Sequence, residues 1–255
     1  MVGDIVGECG CKFIKKILAN FKSENKIDVV VANGENSAPT NGITPFIAEY
    51  LLNTGVDVIT TGNHVFKKKI EISDYLNKSS RVLRPANYPE NFTPGKGFSK
   101  FMFGNTKFCL INILGVVGLE PLRCPFEVID EILKETQDCI VKLIDFHAEM
   151  TSEKRAFGFY VSGKVTAVVG THTHVQTSDE EILQGGTAYI TDVGMTGVSD
   201  SVLGVKKELS IKRMREKIPL RFEHANKGAC KMECVIIESE DTSGKAVSIE
   251  RLRIV

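Results

Sequence analysis

The sequence predicts one mixed α/β domain, residues 1–255, built on two packed sheets. Three observations predict it. The N-terminal part alternates apolar β-branched runs with amphipathic stretches at helical spacing, the pattern of parallel βαβ units. The C-terminal part alternates in period two between glycine-containing turns, the pattern of antiparallel strands. Five polar clusters each follow an apolar run: Gly3-Asp4, Asn33-Gly34-Glu35-Asn36, Gly62-Asn63-His64, Asp145-Phe146-His147 and Gly170-Thr171-His172-Thr173-His174. Such placement puts a site at the carboxyl ends of the strands.

The elements follow in order. Met1 to Gly7 reads as the end of a strand and its turn, with the strand before Asp4 clipped; the expectation is a true start upstream. Phe13, Ile14, Ile17, Leu18 and Phe21, with lysines between them, form an amphipathic helix. Ile27 to Ala32 is a strand. Thr44 caps a helix with Pro45 in first position, running to Asn53 and stopped near Gly55. Val56 to Thr60 is a strand and Lys69 to Asn77 a helix. Phe98–Phe103 and Thr106–Leu114 read as a hairpin about Gly104-Asn105. Pro125 to Thr136 is helical, Cys139 to Ile144 is a buried strand, and Thr151 caps a helix to Phe159. Lys164 to Val169 and Thr187 to Thr191 are strands. A helix over Lys207–Lys217 precedes strands at Arg221–Ala225, Ala229–Glu238 and Ala246–Ile254.

Composition excludes several classes. There are 32 basic and 32 acidic residues, so no net charge draws the chain to duplex nucleic acid, and no stable duplex binding is expected. No run is long enough to span a bilayer, and no basic segment leads into an apolar one at the start. The seven cysteines, an odd number mostly inside apolar runs, fit reduced thiols in the cytoplasm. Cys9 and Cys11 near the Asp4 turn read as helix packing.

The candidate ligands Asp4, Glu35, Asn36, Asn63, His147, His172 and His174 combine carboxylate, amide and imidazole without a thiolate. That set suits iron or manganese, with zinc or cobalt also compatible. Seven ligands exceed what one ion needs and suit two ions sharing a carboxylate bridge, Glu35. Two divalent ions about 3.5–4 Å apart lower the pKa of a bridging water and attract an anionic phosphoryl group. His64, directly after Asn63, is the candidate general acid for the leaving oxygen. Asp145 and Asp192 are read as partners that orient ligands. His224 lies in an alternating stretch far from every cluster and is read as structural.

In this order the clusters, together with Arg84-Pro85-Ala86-Asn87, Thr151-Ser152-Glu153-Lys154 and Thr191-Asp192-Val193-Gly194-Met195-Thr196-Gly197, resemble the bacterial YmdB-like phosphodiesterases, a branch of the calcineurin-like metallophosphoesterases. The resemblance covers essentially the whole chain. It implies a four-layer α-β-β-α sandwich of mixed sheets with a dinuclear centre. One metal would take Asp4, Glu35, Asn36 and His174, the other Glu35, Asn63, His147 and His172, with His64 as proton donor. It further implies 2′,3′-cyclic nucleotides or RNA-end phosphodiesters as substrates and a homo-oligomer. The clipped strand departs from the pattern and leaves Asp4 weakly held. A phosphomonoesterase with the same metals is the alternative, with Arg84, Lys96 and Arg123 as loop cations for a dianion. A regulatory or scaffold protein with incidental catalysis is another, and a nuclease for long RNA a third.

Overall fold

The computed structural model describes residues 1–255. In chain order the elements are β1 (Asp4–Ile5), α1 (Gly7–Glu24), β2 (Val31–Asn33), α2 (Pro45–Asn53), β3 (Val58–Thr60), α3 (Lys69–Lys78), β4 (Val82–Leu83), β5 (Phe98–Phe103), β6 (Thr106–Leu114), α4 (Pro125–Glu135), β7 (Val141–His147), α5 (Thr151–Tyr160), β8 (Ala167–Thr171), β9 (Glu181–Leu183), β10 (Thr187–Ile190), β11 (Met195–Val198), α6 (Lys207–Glu216), β12 (Cys230–Ser239) and β13 (Ala246–Ile254).

The strands form a six-stranded sheet in the order β5-β6-β7-β8-β10-β9, a four-stranded sheet β1-β11-β12-β13 and a three-stranded sheet β2-β3-β4. Val2 links the two smaller sheets, bridging Ala32 on one side and Cys234 on the other. The parallel registers decide where the site lies. Asn33 sits beside Thr60, His147 beside Thr171, and Asp4 beside Met195. The first two pairs stand at the carboxyl ends of their strands, where loops converge, and Asp4 and Met195 open the short strands β1 and β11.

Apolar packing follows the patterns in the sequence. Ile14 and Leu18 of α1, Leu51 of α2, and Ile72 and Leu76 of α3 share one cluster with Ala32, Ile59 and Met232. Val128, Ile129 and Ile132 of α4 and Phe157 of α5 share a second with Ile111, Ile144 and Phe146. Two smaller clusters join the sheets to one another, through Val169, Ile190 and Val235, and through Val31, Val58 and Leu110. The chain is therefore mixed α/β with several sheets. No helix is long and apolar enough to cross a membrane.

Several expected elements stand as written. α2 starts at Pro45 with the Thr44 hydroxyl accepting from the Ile47 amide, and both hairpin strands and β13 keep their expected bounds. Four expectations change. Thr151 is the first helical residue of α5, and Met150 holds the cap position without a side-chain bond. Residues 221–225 form no strand; His224 makes a single bridge to Val205. β7 continues through Asp145 and His147, so these side chains project from a strand and not from a loop. β1 is only two residues long, yet Asp4 is fully buried and well held. The short strands β4, β9 and β11 carry no alternation long enough to read, because their pairing partners decide them.

Candidate metal centre and active site

Asp4, Glu35, Asn36, Asn63, His64, His147, His172 and His174 come from five separate stretches of sequence and meet at one end of the sheets. His147 is fully buried on β7. Its Nε2 lies 3.1 Å from Glu35 Oε1, 3.1 Å from Asn63 Oδ1 and 3.0 Å from His172 Nδ1. A single proton on that nitrogen can satisfy only one of these three neighbours. The donor atoms of Glu35, His147 and His172 all fall within 4.8 Å of one another, spacing that fits a shared cation.

The second half of the cluster gathers around Asn36. Its Nδ2 lies 3.2 Å from Asp4 Oδ1, 3.4 Å from Glu35 Oε1 and 3.1 Å from His174 Nε2. Two amide hydrogens face three acceptors. Turning the amide over presents Oδ1 to the same three atoms and the NH₂ to His64, the orientation a cation among them requires. Glu35 belongs to both halves.

The electrostatics also favour a cation. Burial opposes ionisation of Glu35, but His147 and His64 outweigh it and hold the carboxyl well below its usual range. Burial likewise opposes ionisation of Asp4, and His174 and His147 outweigh it. Burial would lower His147, yet Glu35 and Asp4 push it up to about 9. Carboxylates that hold a proton this firmly on a buried imidazole attract positive charge. Asp145 behaves differently: burial pushes it up to about 6 against its bonds from Thr171 and Thr60.

The surrounding bonds orient the cluster. Thr171 Oγ1 lies 2.9 Å from His147 Nδ1 and donates to Asp145 Oδ1 at 2.6 Å. The Asn33 amide reaches Asp145 Oδ2 at 3.1 Å and His147 Nδ1 at 3.3 Å. His172 and His174 have φ of 104° and 63°, the left-handed region that side chains avoid. Their loop is tied down by Asp192, which accepts from Lys154 Nζ at 2.7 Å and from the Thr173 amide at 3.0 Å. Gly62 is required for space: a Cβ there would stand 2.3 Å from His147 Nε2 and 2.5 Å from Glu35 Oε2.

His64 sits at the edge. Its amide donates to Glu35 Oε2 at 2.8 Å, and Nδ1 lies 3.0 Å from Asn36 Oδ1. The ring lines an open pocket of about 150 Å³ with Val6, Asn41, Leu203, Val205 and His224 beside the candidate ligands Glu35, Asn36, His172 and His174. His224 thus belongs to the site, contrary to its reading from sequence, because residues distant in the chain carry it there. Sequence reasoning also missed Asn33, Asn41, Thr171, Glu149 and Lys154. Asn33 and Lys154 lie inside motifs already noticed; for Asn41 and His224 no sequence signal exists. Arg84, Lys96 and Arg123 do not line the pocket. Arg84 is buried and donates to the Pro85 carbonyl, and Arg123 pairs with Glu131.

Known proteins resemble the chain in sequence and fold. A 2′,3′-cyclic-nucleotide 2′-phosphodiesterase of Bacillus subtilis (strain 168) is 44% identical over 254 residues, covering 99% of this chain and 95% of that protein. The crystal structure of a novel phosphatase of Mycoplasma pneumoniae superposes with a TM-score of 0.93 at 36% identity, covering 99% of this chain and 91% of the other. At 13% identity the NAD nucleotidase of Haemophilus influenzae shares the fold alone, with a TM-score of 0.59 over 96% of this chain and 49% of the other. The family model described as YmdB-like protein matches residues 1–252, and the chain belongs to that family.

Proposed function

We propose that the chain is a metal-dependent phosphodiesterase that hydrolyses 2′,3′-cyclic nucleotides. The observation that carries this reading is Glu35, standing between Asp4, Asn36 and His174 on one side and Asn63, His147 and His172 on the other. The likeness to the Bacillus subtilis enzyme supports the substrate. Asp4, Glu35, Asn36 and His174 would hold one metal, and Glu35, Asn63, His147 and His172 the other. When bound, two such ions supply an activated water and neutralise charge on the phosphoryl oxygens. The donor set favours iron or manganese over softer metals.

The chain's own residues do the rest. The Asp145 bonds and the Lys154–Asp192 pair keep the ligand side chains in place. His64 faces the pocket and gives a proton to the leaving ribose oxygen. The pocket walls hold no lysine or arginine, which suits a diester monoanion better than a monoester dianion. The apolar clusters support a four-layer α-β-β-α sandwich, with α1–α3 on one outer face and α4 and α5 on the other. One domain, a cytoplasmic location and a homo-oligomer complete the reading.

The test is hydrolysis of 2′,3′-cyclic AMP by manganese- or iron-reconstituted protein against a phosphomonoester panel. Turnover of the cyclic diester should be lost in both His64→Ala and Asp4→Asn. Two bound ions should remain only in His64→Ala. Two bound ions in the wild type without turnover of the cyclic diester would overturn the proposal.

A further inference from the structure

The loop carrying Asn41 and the segment carrying His224 lie 183 residues apart, yet their side chains meet over His64. His224 Nε2 is 2.8 Å from Asn41 Oδ1, and Asn41 Nδ2 is 3.2 Å from His64 Nδ1. Asn41 is the middle of three consecutive residues with positive φ: Thr40 at 62°, Asn41 at 68° and Gly42 at 86°. Two of the three are not glycine, so the surroundings must hold this conformation. The Ala38 amide bonds to the Gly42 carbonyl and the Asn41 amide to the Ala38 carbonyl. His224 is braced in turn. It bridges Val205, and its ring lies against Gly7, where a Cβ would be 3.0 Å from His224 Nδ1.

We propose that His224, acting through Asn41, is a positioning residue that fixes the His64 ring with Nε2 toward the substrate. Three groups gather at His64 Nδ1: Asn36 Oδ1 at 3.0 Å, Asn41 Nδ2 at 3.2 Å and Glu35 Oε1 at 3.2 Å. Nδ1 is thereby occupied, and Nε2 is the nitrogen left for the pocket. Asn36 and Glu35 are ligand candidates, so Asn41 is the one of the three that can orient His64 without also facing a metal. An amide on a short side chain can meet Nδ1 as donor or, turned over, as acceptor. A neutral imidazole on its other side can answer both orientations.

The inference rests on the proposed function, in which His64 is the proton donor. In that reaction the oxygen of a water bonds to phosphorus. The bond from phosphorus to the ribose oxygen breaks, with its electron pair left on that oxygen. The His64 imidazolium gives its Nε2 proton to the ribose oxygen and keeps the Nδ1 proton, which the Asn41 amide oxygen accepts once that amide is turned over. The water's surplus proton passes to solvent, which later reprotonates the ring. A ring free to swing would lose this geometry with no loss of metal.

The experiment compares two leaving groups. A ribose alkoxide needs the proton; the nitrophenolate of bis(4-nitrophenyl) phosphate does not. His64→Ala, His224→Leu and His224→Gln are assayed on both substrates, with metal content and melting temperature measured on each protein. His224→Leu should lower kcat on 2′,3′-cyclic AMP on the order of tenfold, a part of what a general acid contributes. KM should stay within about twofold. The loss on the aryl diester should be several-fold smaller, two ions should remain bound, and His224→Gln, which keeps a hydrogen-bonding group, should recover most of the rate. Equal losses on both substrates, unchanged kcat, or fewer bound ions in His224→Leu would overturn the inference. If His64→Ala discriminates between the leaving groups and His224→Leu does not, only the role of His224 fails. If His64→Ala does not discriminate, the donor role of His64 fails, and this inference with it.

Discussion

His147 and His172 stand 3.0 Å apart, ring nitrogen to ring nitrogen, and are held by different means. His147 projects from β7, fully buried, with its ladder partner Thr171 bonding the far side of its ring. His172 and His174 project from a loop in left-handed backbone, each with part of its side chain exposed. The strand-borne histidine takes its position from sheet register, a property spread over many backbone bonds. The loop-borne histidines depend on a few side chains, above all the buried Lys154–Asp192 pair. A site assembled this way should fail first on its loop side.

The sharpest way to break the comparison is Lys154→Met. It leaves Asp192 buried without a counter-charge, and losing one partner of a buried pair costs about 3–5 kcal/mol. Denaturant unfolding should show that loss, and metal analysis should find fewer than two ions. A change under about 1 kcal/mol would mean the loop is held by something else.

Gly62→Ala attacks the strand-borne side by crowding His147 and Glu35 directly. Overpacking of this kind costs about 1–3 kcal/mol, and bound metal should fall further than stability does. Full metal content in the folded variant would show that the centre can shift around the added methyl.

Thr171→Val removes the hydroxyl shared by His147 and Asp145 and keeps the shape. A loss of about 1–2 kcal/mol is expected from the buried bonds. Turnover should fall because the His147 ring is freed to rotate. A crystal structure of the variant with His147 unmoved would count against register plus one hydroxyl as the whole support.

Glu149→Ala should have the smallest effect on the fold. Its carboxylate lies 2.8 Å from His172 Nε2 but is half exposed, so stability should change by less than about 0.5 kcal/mol. Metal affinity, read by competition with a chelator, should weaken by about tenfold, because a ligand's outer partner is lost. An unchanged affinity would show that the loop alone orients His172.

Much of this was legible beforehand, and particular residues show why. α2 was bounded by Thr44, Pro45 and Gly55, whose local chemistry acts within a few residues. The hairpin of β5 and β6 was set by the Gly104-Asn105 turn between two apolar runs. The ligand residues stood out because each ended an apolar run, and their joint order resembles the family. Residues 221–225 alternated as a strand should, but only His224 found a bridge, since pairing needs a partner as well as a pattern. β11 carried no pattern and is a strand because β1 and β12 flank it.

The sequence alone determined the candidate ligand residues, the main helices, and the family, because side-chain chemistry and short-range spacing are written along the chain. Tertiary structure alone decided that Asp4 needs only a two-residue strand, with the carbonyls of Val31, Glu233, Gly194 and Thr196 accepting backbone bonds from Val2, Gly3, Asp4 and Val6. It alone paired Lys154 with Asp192, buried Arg84 away from the pocket, and carried His224 to Asn41. These facts depend on contacts between segments far apart in sequence, and such contacts exist only once the sheets have packed.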